Sequence, residues 1–108
     1  MADFVIRKGD RLPELQATLT DSAGAAVNLT GLTVRFHMRQ VGSRTVKVNG
    51  AATLVTPASG VVKYTWAAVD TDTTGSYQGE FEVTFGDGRK QSFPNPSFLA
   101  INVTDELA

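Results

Sequence analysis

The sequence holds one histidine, His37, the residue type used most often as a general base. A Ser-His-Asp constellation would also need a carboxylate to hold the ring and a serine on an ordered elbow. No Gly-x-Ser-x-Gly occurs, and there is no cysteine to act as nucleophile, thiolate ligand or disulfide partner. His37 instead lies between Arg35 and Arg39, and with Arg44 and Lys47 these form a basic stripe that could meet a phosphate backbone. The competing reading pairs the stripe with Glu80 and Glu82 on a neighbouring strand, as cross-strand ion pairs. Asp70 and Asp72 could suggest calcium, yet no spaced series of oxygen ligands surrounds them, so capping or turn formation is expected. Gly86-Asp87-Gly88 has no following helix and no Gly-Lys-Ser/Thr, which makes it a hairpin loop and not a phosphate cradle. Asn28-Leu29-Thr30 and Asn102-Val103-Thr104 match the glycosylation pattern only formally. Trp66, Tyr64, Phe81 and Phe36 could line a sugar platform, but core packing is the default for inward-facing aromatics. The sequence therefore predicts no catalytic residue, no cofactor-binding residue and no metal ligand.

The elements that must carry these residues are strands. Thirteen threonines and twelve valines make up 25 of the 108 residues, and β-branched side chains suit a pleated, half-buried surface. Leu32, Val34, Phe36 and Met38 alternate with Thr33, Arg35, His37 and Arg39, the pattern of a strand with one buried and one wet face. Tyr77, Gly79, Phe81, Val83 and Phe85 alternate in the same way with Gln78, Glu80, Glu82 and Thr84. Shorter strands are expected over Phe4–Lys8, Leu15–Thr20, Thr45–Val48, Ala51–Val55, Val61–Trp66, Arg89–Phe93 and from Phe98 to about Val103. Asn49-Gly50 reads as a two-residue hairpin turn between two of them, and Pro94-Asn95-Pro96 as a break before the last strand. Turn signals recur at intervals of roughly ten residues, which predicts seven to nine short strands in an all-β, antiparallel sandwich. Asp72-Thr73-Thr74-Gly75-Ser76-Tyr77, directly before a long strand, has the form of the tyrosine corner of Ig-like sandwiches. The cysteine expected two residues later is Gly79, so the inter-sheet disulfide is missing.

Composition narrows the function classes. A chain of 108 residues fits one domain, residues 1–108. Ten basic and eleven acidic residues give a net charge of −1, without the basic footprint of a nucleic-acid binder. No run approaches the ~20 apolar residues of a membrane span, and the stretch from Met1 to Lys8 lacks the order of a signal peptide. No nucleic acid and no membrane are therefore expected as partners.

Several segments together resemble one family. These are Leu15-Gln16-Ala17-Thr18-Leu19-Thr20-Asp21, the run from Val27 to Arg39, Asn49-Gly50-Ala51-Ala52, Gly60-Val61-Val62-Lys63-Tyr64-Thr65-Trp66, and the stretch from Asp70 to Pro94. In this order they resemble the N-terminal domain of phage baseplate upper proteins. The resemblance implies a non-enzymatic Ig-like virion structural protein, made in the host bacterial cytoplasm, that docks in a tail or baseplate assembly. Its implied partners are other virion structural proteins, with a homo-oligomer, a trimer, by family analogy. Baseplate upper proteins continue into a helical or fibre-like segment, whereas these residues end at Asp105-Glu106-Leu107-Ala108, which leaves the docking module. Capsid decoration and head–tail connection are the alternatives within the virion class. A stand-alone carbohydrate-binding Ig-like module is the alternative outside it, for which Trp66 and Tyr64 would have to be exposed. The terminal strands Phe4–Lys8 and Phe98–Val103 are the expected partner-facing edges, because an unpaired edge accepts a strand from a neighbour.

Overall fold

The structure, a computed structural model, describes residues 3–94 and 98–105. Met1 and Ala2, Asn95 and Pro96 of the expected break, and Glu106 to Ala108 lie outside the described residues. Among the described residues nine strands follow one another: β1 (Phe4–Arg7), β2 (Leu15–Thr18), β3 (Thr33–Gln40), β4 (Val46–Ala51), β5 (Thr53–Thr56), β6 (Val61–Tyr64), β7 (Gly75–Thr84), β8 (Lys90–Phe93) and β9 (Leu99–Thr104). The larger sheet has the order β1-β9-β7-β3-β4 with β8 also on β7; the smaller has the order β2-β6-β5. Strands two, six and five in one layer and nine, seven, three and four in the other make an Ig-like sandwich. Short 3-10 turns at Pro57–Ser59 and Ala68–Thr71 link strands. No helix among the described residues is long and apolar enough to cross a membrane.

Alternation builds this architecture. On β3, Val34, Phe36 and Met38 point inward and are buried; on β7, Tyr77, Phe81 and Val83 do the same. The smaller sheet contributes Leu15, Val62 and Tyr64 to the same core. Phe36 lies at its centre, its ring 4.8 Å from Tyr64, 5.1 Å from Phe81 and 5.8 Å from Trp66. Burying a side chain of this size contributes about 1.5–3 kcal/mol. The Tyr77 hydroxyl donates to the Thr73 carbonyl at 2.6 Å, which is the tyrosine corner expected from the sequence. The Gly86-Asp87-Gly88 hairpin also forms, with Phe85 N–H donating to Arg89 C=O at 2.8 Å.

Three expectations are corrected. Asn49-Gly50 does not turn: β4 runs through it, with Asn49 opposite His37 and Gly50 opposite Phe36. Gly50 is extended, and a Cβ there would lie 2.8 Å from Tyr64 Cε1, so the glycine makes room for a ring of the facing sheet. The next strand crosses to that sheet and pairs with β6. Second, pairing is not antiparallel throughout, because β1 runs parallel to β9. The chain makes a long excursion between them, so no tight turn dictates their direction. Third, Phe98–Val103 is not an open edge, since β9 is held between β1 and β7. Of the two terminal strands only β1 lies at an edge.

Candidate functional site

The outward residues of β3 and β7 come together on the solvent face of the larger sheet. Register places Arg35 opposite Glu82, His37 opposite Glu80 and Arg39 opposite Gln78. The sequence reading of facing stripes of opposite charge is thereby met. His37 Nδ1 lies 3.1 Å from Glu80 Oε2, and both side chains are about a quarter exposed. Arg35 leans the other way: its Nε donates to Asn49 Oδ1 at 2.9 Å and its Nη2 to the Asn49 carbonyl at 3.0 Å. Glu82 leans toward Lys90 on β8, 3.8 Å away. Lys47 leaves the basic stripe to pair with Asp72, and that bond, with one from the Thr73 hydroxyl, holds the Asp72 carboxyl below the usual range.

His37, Glu80 and Glu82 bring ligand-capable atoms within 4.8 Å of one another. A histidine with two carboxylates can bind a divalent cation. Here, however, the ring nitrogen is engaged by Glu80, and the Lys90 ammonium stands beside Glu82. The sequence reading missed this grouping because it depends on the register of two strands 43 residues apart.

A groove of about 370 Å³ runs over the His37–Glu80 pair, lined also by Arg39, Asn49, Gln78 and, at its apolar walls, Val46 and Phe98. A second groove of about 380 Å³ lies beside it, where Val41, Ser76, Ala100 and Asn102 contribute walls. Phe98 and Gln78 line both. Phe98 is 44% exposed, Val46 55% and Val41 56%. An exposed aromatic shared by two grooves, each with an exposed valine and the first also holding His37, Arg39 and Glu80, has the composition of a contact surface. The sequence reading placed Phe98 in a strand and so did not single it out. It immediately precedes β9 and continues the outward side of that strand's alternation, with Ala100 and Asn102.

The other candidates resolve structurally. Trp66 is 2% and Tyr64 8% exposed, so neither offers a platform to a sugar. The Asp70 carboxylate is buried and accepts from Tyr64 O–H at 2.7 Å and Ala67 N–H at 2.8 Å. Burial first, and then this bond, pushes the Tyr64 phenol above the ordinary tyrosine range. Asn28 Oδ1 accepts from Thr30 N–H at 3.0 Å, closing a local turn. The chain matches no protein-family profile and no curated protein sequence.

Proposed function

We propose that this chain is a non-enzymatic structural module of a phage virion that docks within a tail or baseplate assembly. The sequence resemblance supplies the virion class. The observation that supports docking is the outer face of the larger sheet, where Phe98 stands between two adjoining grooves with Val41 and Val46 on their rims. Large aromatics at the centre of such a face supply most of the energy in protein contacts. Burial of Trp66 and Tyr64 disfavours the carbohydrate-binding alternative.

The test is immunogold electron microscopy of purified particles of the phage that encodes the chain, with antibodies raised against the domain. Label at the tail tip supports the proposal. Label on the capsid surface or at the head–tail junction moves the module to decoration or connection. Particles that carry no label and yield no peptide of this chain by mass spectrometry refute the virion reading.

A further inference from the structure

We infer that the outer face of the larger sheet pairs with the same face of a second copy of this chain, about a two-fold axis parallel to the strands. The inference takes from the reading above that this face is the contact surface, and it names the occupant.

The reason is the placement of charge. Arg35 and His37 stand on β3, and their register partners Glu82 and Glu80 stand on the adjacent β7. An axis midway between these strands, in the plane where two copies meet, exchanges β3 with β7 and keeps the level along the strand. It therefore sets Arg35 of each copy over Glu82 of the other, and His37 over Glu80. The leans of the side chains agree with this. Arg35 tilts outward to Asn49 on β4, and Glu82 tilts outward to Lys90 on β8, so the rotation carries one tilt onto the other. Because the match is of a surface with itself, each contact occurs twice, as an isologous interface requires.

The apolar groups obey the same operation. β9 flanks β7 and β4 flanks β3, so the rotation exchanges β9 with β4. Phe98 precedes Leu99, whose register partner is Gly79, which puts it near the level of Glu80. On β4 the corresponding level is that of Asn49, with Val46 one step along opposite Arg39. Phe98 of one copy then enters the groove wall formed by Val46 and Asn49 of the other. Arg39 falls over Gln78, a neutral acceptor. Lys90 on β8 stands beside the pairs and competes for Glu82. The molecule extends 45 × 26 Å along its two longer axes, enough for the ~800 Å² per partner of a standard interface.

Sedimentation equilibrium of the full 108-residue chain over a wide concentration range tests this. The expected result is a reversible dimer that weakens as salt is added. Phe98→Asp raises the dimer Kd by about thirty-fold or more, the effect of removing a central aromatic anchor. Arg35→Glu and Glu82→Arg each raise it by about tenfold, and the double charge swap returns it to within about threefold of the parent, because the pairing is restored with reversed sign. All of these side chains point to solvent, and thermal melts check that each variant folds. A chain that remains a monomer at ~1 mM, a chain that forms a trimer, or a dimer unmoved by both Phe98→Asp and the single charge reversals overturns the inference. Chain missing from virions would sink the virion reading and leave the dimer standing; a monomer in solution does the reverse.

Discussion

Gly79 occupies the position where an Ig-like sandwich would carry its second disulfide cysteine, and the structure shows what fills that place. A Cβ added at Gly79 would lie 2.7 Å from Ile101 Cδ1 and 3.0 and 3.1 Å from two carbons of the Phe36 ring. Ile101 and Phe36 are both fully buried. The Phe36 ring is wedged among Tyr64, Phe81 and Trp66, so it yields little, whereas the δ-methyl of Ile101 is the end of a side chain. Overpacking of this kind costs about 1–3 kcal/mol. Replacing a strand glycine with alanine recovers roughly 0.5–1 kcal/mol of chain entropy. Gly79→Ala therefore destabilises by about 1 kcal/mol, within a span of about 0–2.5, a central fall in Tm of about 4–5 °C for a chain of this length. Ile101→Val alone removes the δ-methyl and costs about 0.5–1.5 kcal/mol through the space it leaves. In the double variant the new methyl takes up that space, so the combined loss is smaller than the sum by about 1 kcal/mol. Urea unfolding of the four proteins, with midpoints compared at constant slope, reads this coupling directly. Losses that add to within ~0.3 kcal/mol, or a Gly79→Ala variant more stable than the parent, would refute the account of Gly79 as a packing glycine.

Two further outcomes rest on the tyrosines. Tyr77→Phe removes the hydroxyl that donates to the Thr73 carbonyl at 2.6 Å. Thr73 is accessible to water, which can take over as donor, so the expected loss is about 1 kcal/mol, seen as a Tm drop of about 4–5 °C. Burial raises the phenol pKa of both Tyr64 and Tyr77 in the folded chain. The folded protein then keeps protons that the unfolded chain releases near pH 10. Stability from this source is complete below pH 10 and declines as pH rises above it, by up to ~1.4 kcal/mol per pH unit for each tyrosine. Thermal melts from pH 8 to 12 should show a plateau and then a fall, and the fall is reduced in Tyr77→Phe. A melting temperature flat to pH 12 would contradict the assignment.

Much of the sandwich is legible in the residues because period-2 alternation is a local property. β3 and β7 announce themselves through four or more consecutive alternations, and the tyrosine corner through one tyrosine placed just before a strand. The Gly86-Asp87-Gly88 hairpin is equally local. Asn49-Gly50 misleads for a physical reason. Glycine is used both where φ must be positive and where another group must come close, and a sequence does not say which. Here Tyr64 from the facing sheet decides. The edges are misjudged because edge status is a property of the whole sheet order. β9 looks like a terminal strand and is covered only because β1 returns to pair with it.

By itself, then, the sequence determines that these residues are all-β and form no disulfide, which side of each long strand is buried, and that basic residues on one strand have acidic counterparts on another. Side-chain type and period suffice for that, since they act over neighbours along the chain. The tertiary structure decides the rest: that His37 meets Glu80 while Arg35 turns to Asn49, that Trp66 and Tyr64 are core, and that Phe98 stands exposed between two grooves. Those outcomes depend on register and sheet order. Register and order are set by burial summed over the whole core, and no single segment carries that information.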